Sequence, residues 1–172
     1  MLFGTPNSIS ASLTYERGDS ADDAFLILLT YNDKTVLLRS TMVSCLAVQP
    51  RFRIRGTKGS FVKDGLDPQE DQRVKFSPPI EISSKEFGVE EPAFRGRLTT
   101  VDKTEGAKEV NGLWESEIAS ERGNYLGFYE NLYDAISGKA KLLVRPEEAR
   151  NVIRLIEIVK ESSKAGARLP WA

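Results

Sequence analysis

Residues 24–31 (AFLILLTY) and 34–43 (KTVLLRSTMV) are two apolar runs separated only by Asn32-Asp33. A two-residue connection between strand-like runs predicts an antiparallel hairpin, and Asn and Asp tolerate the positive φ that such a loop asks for. The implied register sets Leu29 beside Val36 and Ile27 beside Leu38 on one face. Leu28 with Leu37 and Leu26 with Arg39 fall on the other. A sheet with one wet face alternates apolar and polar residues. This hairpin is apolar on both faces, so each side is expected to be covered.

The remaining strands read less strongly. Ile9, Ala11, Leu13 and Tyr15 alternate with polar residues and give a first strand over Ser8–Tyr15. Arg51–Arg55, a turn at Gly56-Thr57-Lys58-Gly59 and Ser60–Lys63 form a second hairpin. Asp67-Pro68-Gln69-Glu70 has the order of a helix start, with Asp67 as N-cap and proline in the first turn. Between Asp71 and Asn111, Pro78-Pro79, Pro92 and several glycines argue against long elements. Arg95–Val101 and Leu113–Ala119 are further strands. Phe128, Leu132, Tyr133 and Ile136 recur at helical spacing after a candidate cap at Asn124, and Gly138 ends that helix. Pro146-Glu147-Glu148 opens a second helix with an inner stripe of Ala149, Val152, Ile153, Ile156 and Val159, and Gly166 stops it. The fold class is therefore α+β: an open, mainly antiparallel β-sheet with two C-terminal helices packed on one face, in one domain over residues 1–172.

Composition narrows the chemistry. Lys and Arg total 24 against 25 Asp and Glu, which leaves no field for nucleic acid. No apolar run reaches the ~20 residues of a membrane span. The chain has no histidine, so imidazole is absent as base or metal ligand. Cys45 is the one cysteine. It excludes an internal disulfide, suggests a cytoplasmic setting and reads as a small buried hydrophobe.

Several segments share a register with one family. GTKGSFVKDGLDPQE (56–70) resembles the C-terminal domain of the glucose–fructose oxidoreductase/inositol dehydrogenase (Gfo/Idh/MocA) family. EFGVEEPAFRGRLTT (86–100) is a second match, with Phe87-Gly88 where Trp-Gly is expected. Gly123-Asn124-Tyr125-Leu126-Gly127-Phe128-Tyr129, Asp134-Ala135-Ile136, Gly138 and Pro146-Glu147-Glu148-Ala149 continue it. The resemblance runs from about Phe3 to Trp171. One departure is Arg145, where the family carries a capping Ser, Thr or Asp.

The resemblance implies the substrate-binding and dimerisation domain of an NAD(P)-dependent oxidoreductase acting on a sugar, polyol or related carbonyl or alcohol. The family's glycine-rich dinucleotide turn, its Glu-Lys-Pro lysine and its Asp-x-Gly-x-His helix do not occur in this sequence. The chain thus reads as the second domain alone, truncated just after the catalytic helix. By itself it is expected to bind no cofactor and to be inactive, with NAD or NADP bound in the intact protein. The expected partners are a small-molecule substrate and a second copy of the chain, joined through the open sheet face. The alternative is a non-catalytic binding or regulatory module that reuses the fold.

Four residues are singled out for substrate binding: Arg39, Lys63, Gln69 and Tyr125. Arg39 sits among leucines, and a buried charge needs either a substrate oxygen or a structural carboxylate such as Asp23 or Glu117. Lys63 and Gln69 follow the glycine turn without a capping role. Tyr125 begins a helix, where its ring can rest on the sheet while its hydroxyl faces a pocket. Arg51, Arg53 and Arg55 share one side of a strand and form either an anion-binding face or a solvated, salt-bridged one.

Overall fold

The hairpin forms in the expected register. In the computed structural model, which describes residues 2–18, 21–75 and 80–171, β2 (Ala24–Thr30) pairs with β3 (Thr35–Thr41). Leu26 lies opposite Arg39, Ile27 opposite Leu38, Leu28 opposite Leu37 and Leu29 opposite Val36. The Tyr31 N–H donates to the Lys34 carbonyl at 2.9 Å and closes the Asn32-Asp33 turn. The Pro78-Pro79 pair lies outside the described residues.

The chain, read above as one domain, divides into two compact units. One is Met1–Cys45 with Leu142–Ala172, and the other is Leu46–Lys141. The α+β class holds, with antiparallel pairing throughout and two helices near the C-terminal end. The strands form two sheets rather than one.

In the first unit, β1 (Ser8–Thr14) lies between β2 and β9 (Leu169–Pro170), giving the order β3-β2-β1-β9. The helix α3 (Pro146–Ala165) covers the face that carries Ile9, Ile27 and Leu29, burying them with Ile158 and Val159. Each such side chain removed from water contributes about 1.5–3 kcal/mol. Because β9 reaches only Ser8 and Ile9, the N–H groups of Ala11 and Leu13 need other acceptors. They donate to the hydroxyls of Ser162 and Ser163 at 3.0 and 2.9 Å. Helix and strand are thus joined by polar contacts as well as apolar ones. The Glu148 carboxylate accepts the Arg145 N–H at 3.1 Å, supplying part of the cap that an arginine cannot. Gly166 ends the helix with φ 60°.

The outer face of this sheet departs from the expectation that both sides are covered. Leu26 is 46% and Leu37 61% exposed. Arg39 shares that face, because it alternates with Leu38 and follows Leu37 by two residues. It is exposed rather than buried. The two carboxylates weighed as its partners are taken: Asp23 by Arg17 at 2.9 Å and Glu117 by Arg95 at 3.7 Å. The physical reason is that the sheet face Arg39 shares with Leu26 and Leu37 is exposed on the interior strand β2 as well as on β3, so leucine neighbours do not enclose the guanidinium. Cys45, expected to be buried, is exposed.

The second unit is a five-stranded sheet in the order β4-β5-β6-β8-β7. Its strands are β4 (Pro50–Arg55), β5 (Gly59–Asp64), β6 (Gly96–Thr100), β7 (Lys108–Val110) and β8 (Leu113–Ile118). Asn111 and Gly112 join β7 to β8, both at positive φ, as a two-residue hairpin loop requires. Arg53 pairs with Asp64 at 2.6 Å and donates to the carbonyls of Phe52 and Lys63. All of β4 is exposed, so its arginine row is a solvated, partly salt-bridged face. The unit also holds α1 (Gln69–Val74), a 3-10 turn at Pro92–Phe94 and α2 (Tyr125–Ile136).

Candidate functional site

The resembling motifs meet in the second unit at the start of α1. Asp67 bonds into the start of α1, although the N-cap of this helix is Pro68 rather than Asp67. Pro68 already has helical angles, φ −78° and ψ −10°, and its carbonyl accepts the Gln72 N–H at 2.9 Å. The Asp67 carboxylate in turn accepts the Gln69 N–H at 2.9 Å. Glu70 does not complete a capping box with it but lies 3.9 Å from Arg73.

Gln69 and Gln72 then point inward, 2% and 8% exposed. A buried carboxamide must satisfy both ends. Gln69 donates from Nε2 to Asp67 at 2.9 Å and accepts the Tyr125 N–H on Oε1 at 2.8 Å. These partners fix its orientation, since a carboxylate needs the nitrogen and an N–H needs the oxygen. Gln72 accepts the Gly88 N–H at 2.7 Å and donates towards the carbonyls of Val89 at 3.2 Å and Glu86 at 3.3 Å.

Residues 84–90 are therefore held from several directions. Arg122 donates to the carbonyls of Phe87 and Ser84 at 2.7 and 2.8 Å. The Ser84 hydroxyl accepts the Phe87 N–H at 3.2 Å. The Gly123 N–H donates to the Gly88 carbonyl at 2.9 Å. Gly88 sits at φ 78°, and a Cβ there would collide with the Gly123 carbonyl. A Cβ on Gly123 would meet Gln69 and Asp67. Gly88 is required by this close approach of two backbones, and Gly123 leaves room for the Gln69 and Asp67 side chains.

Lys63 lies in the same unit and is not free. Its ammonium bonds the Glu90 carboxylate and donates to the Phe94 carbonyl at 2.6 Å, with only 14% of the lysine side chain and 9% of the glutamate side chain exposed. The other Glu90 oxygen accepts the Ser120 N–H at 2.6 Å. Burial pushes the Glu90 carboxyl up, but Lys63 and the Ser120 N–H outweigh it and hold the group below the ordinary carboxylate range. This clamp ties β5, the 90s loop and the segment that leads into α2.

Tyr125 stands at the end of these constraints. Its N–H is taken by Gln69, and its ring meets Phe87 edge-on with centroids 6.5 Å apart. Phe87 is 1% exposed, whereas Tyr125 is 41% exposed. No hydrogen bond to the Tyr125 hydroxyl is formed among the described residues. Asn124 caps α2 by accepting the Gly127 N–H at 3.0 Å. Three of the four residues singled out from the sequence, Lys63, Gln69 and Tyr125, thus fall in one unit. Arg39 belongs to the other. Gln72, Glu90 and Arg122 are additions that sequence reasoning missed. Gln72 lies one helical turn beyond Gln69, but nothing local marks it as buried. Two open depressions, one beside Tyr129 and Tyr133 and one beside Arg154 and Trp171, are lined by none of the four residues.

Among the described residues no cluster of His, Cys, Asp and Glu could hold a metal ion. None of their helices is long and apolar enough to cross a membrane.

Residues 1–170 match the model of an oxidoreductase family's C-terminal alpha/beta domain. The chain is 34% identical over 165 residues to a scyllo-inositol 2-dehydrogenase (NADP(+)) of Bacillus subtilis, covering 95% of this chain and 43% of that protein. It is 32% identical to an uncharacterised oxidoreductase of Escherichia coli, covering 98% of this chain and 45% of the relative. Among solved structures, the oxidoreductase YvaA of Bacillus subtilis superposes with a TM-score of 0.86 at 31% identity, over 99% of this chain and 46% of that one. The chain therefore spans a little under half the length of the relatives it matches. The motifs that converge on Tyr125 and the match along nearly the whole sequence agree: this chain belongs to the Gfo/Idh/MocA oxidoreductase family and corresponds to its C-terminal domain.

Proposed function

We propose that this chain forms the substrate side of an NAD(P)-dependent oxidoreductase acting on a sugar, polyol or related carbonyl or alcohol. One observation carries the reading. Among the described residues the Tyr125 hydroxyl has no hydrogen-bond partner, while the backbone and ring of the same residue are held by buried groups. A donor and acceptor fixed in this way suits recognition of a hydroxyl, because holding it costs little further entropy on binding. The relative that acts on scyllo-inositol, a cyclic polyol, supports this substrate class.

The helix N-termini among the described residues do not fit a dinucleotide pyrophosphate. A pyrophosphate seeks a helix N-terminus with free N–H groups. Here α1 and α3 open with carboxylates in the first turn, Glu70 with Asp71 and Glu147 with Glu148. At the start of α2 the N–H groups of Tyr125 and Gly127 are already bonded. In this reading NAD or NADP and the proton-transfer groups are supplied by polypeptide outside these residues. Within the chain, Tyr125 touches the ligand, while Gln69 and the Lys63–Glu90 pair hold the wall behind it.

The same reading makes the outer face of the first sheet a contact with a second copy. Leu26 and Leu37 are exposed there, with Arg39 beside them. Apolar patches of this kind often mark interfaces, and a two-fold contact closes on itself. A cytoplasmic location accords with the lone cysteine. The test is turnover by the full-length polypeptide that carries this chain, with NAD or NADP and a panel of inositols and aldoses. Oxidation of at least one is expected. If none is oxidised and none binds by calorimetry, the non-catalytic module replaces this reading.

A further inference from the structure

Among the described residues Gln72 makes no hydrogen bond to Tyr125, yet every polar atom of its side chain is engaged with the loop that contacts it. Its oxygen holds the Gly88 N–H, and its nitrogen reaches the carbonyls of Glu86 and Val89. Those three residues flank Phe87, whose buried ring supplies the edge-on contact to Tyr125. One turn earlier on the same buried face of this short helix, Gln69 holds the Tyr125 backbone. From these contacts we infer that Gln72 is a positioning residue for the Tyr125 ring, acting through Phe87, and that the two glutamines together set where the hydroxyl stands.

The inference rests on the reading of Tyr125 as the ligand contact, but its structural half can be tested without a ligand. A carboxamide suits the task because it offers an acceptor and two donors on one plane, matching an N–H flanked by two carbonyls. A leucine of similar size would leave the buried Gly88 N–H without its acceptor and the Val89 carbonyl without this donor, while the Glu86 carbonyl would keep the Val89 N–H, so the loop would move to recover hydrogen bonds. Phe87 would move with it. Tyr129 and Tyr133 lie farther along α2, and neither is held by Gln72 or Phe87, so they serve as internal references.

The experiment is fluorine NMR of the chain labelled with fluorotyrosine, with the Tyr125 signal assigned through Tyr125→Phe. Gln72→Leu and the milder Gln72→Glu, which keeps the acceptor but loses the donors, should both move the Tyr125 signal by more than its linewidth. The signals of Tyr129 and Tyr133 should stay in place. Phe87→Leu should also move the Tyr125 signal, and adding Gln72→Glu to it should move it little further, since the effect passes through the ring. A Tyr125 signal that stays fixed in folded Gln72→Glu overturns the inference, as do shifts that simply add in the double variant. In the full-length polypeptide, Gln72→Glu should raise KM for the oxidised polyol and leave KM for the nicotinamide cofactor unchanged. An unchanged polyol KM with a displaced Tyr125 signal would refute the ligand role while leaving the positioning role standing.

Discussion

Replacing Gln69 by glutamate changes one atom, from a nitrogen that donates to Asp67 into an oxygen that cannot. The Oε1 bond to the Tyr125 N–H can persist, so shape and packing are kept. The new oxygen stands where Nε2 now lies 2.9 Å from the Asp67 carboxylate. With both groups ionised, repulsion at that distance is about 6 kcal/mol at an effective dielectric of ~20 and about 3 kcal/mol at ~40. Asp67 is exposed, so the smaller figure is the better guide. The introduced carboxyl can escape by keeping its proton. Against an ordinary value near 4.3, holding a proton at pH 7 costs about 3.7 kcal/mol, at 1.36 kcal/mol per unit. Either route predicts a loss of about 3 kcal/mol at pH 7. The like charge raises the folded pKa of this group above its unfolded value. Its stabilising contribution is therefore complete below about pH 4 and is lost as pH rises towards the folded pKa. Urea unfolding from pH 4 to 8 should show the variant close to wild type at the acid end and diverging from it above. Gln69→Leu supplies the control, since its loss of about 1–3 kcal/mol for unpaired buried groups carries no such slope. A Gln69→Glu deficit that is flat with pH would refute the geometry assigned to this carboxamide.

Other expectations are simpler. Glu90→Gln should cost about 3 kcal/mol by leaving Lys63 without its counter-ion in a nearly closed site, read from denaturation midpoints. Because the Glu90 carboxyl is held below its usual range, its stabilisation is present above that range and is lost as pH falls, so the variant should show a weaker acid-side decline than wild type. Gly88→Ala should destabilise much more than Gly138→Ala. Both sites have positive φ, but only at Gly88 does the new methyl meet a carbonyl, whereas nothing lies within 4 Å at Gly138. For self-association, light scattering should show Leu26→Asp breaking a dimer while Ile27→Asp mainly unfolds the chain. A wild-type monomer at high micromolar concentration, or a dimer indifferent to both changes, contradicts the contact.

The hairpin was legible down to its register because a period of two and a two-residue loop leave few alternatives. The helix caps at Asn124, Gly138 and Gly166 were legible for the same reason, since each depends on neighbours close in sequence. The Asn111-Gly112 turn carried an equally local signal, but β7 is three residues long and offers almost no alternation beside it. The errors came where burial depends on distant chain. Arg39 looks enclosed from its leucine neighbours, yet the face it shares with Leu26 and Leu37 is exposed. Gln72 looks like a surface residue until the segment at 86–89, fourteen or more residues away, closes over it. The division into two sheets was illegible too, because no composition break marks residues 45–46 or 141–142.

The central claim is that Tyr125 is the point at which this domain touches its ligand. Steady-state kinetics of the full-length polypeptide on its best polyol, comparing Tyr125→Phe with Tyr129→Phe, tests it most directly. The account predicts a rise of about fivefold in KM for Tyr125→Phe, the worth of one neutral hydrogen bond of about 1 kcal/mol, with folding intact and Tyr129→Phe unchanged. Equal kinetics for Tyr125→Phe and wild type would contradict it.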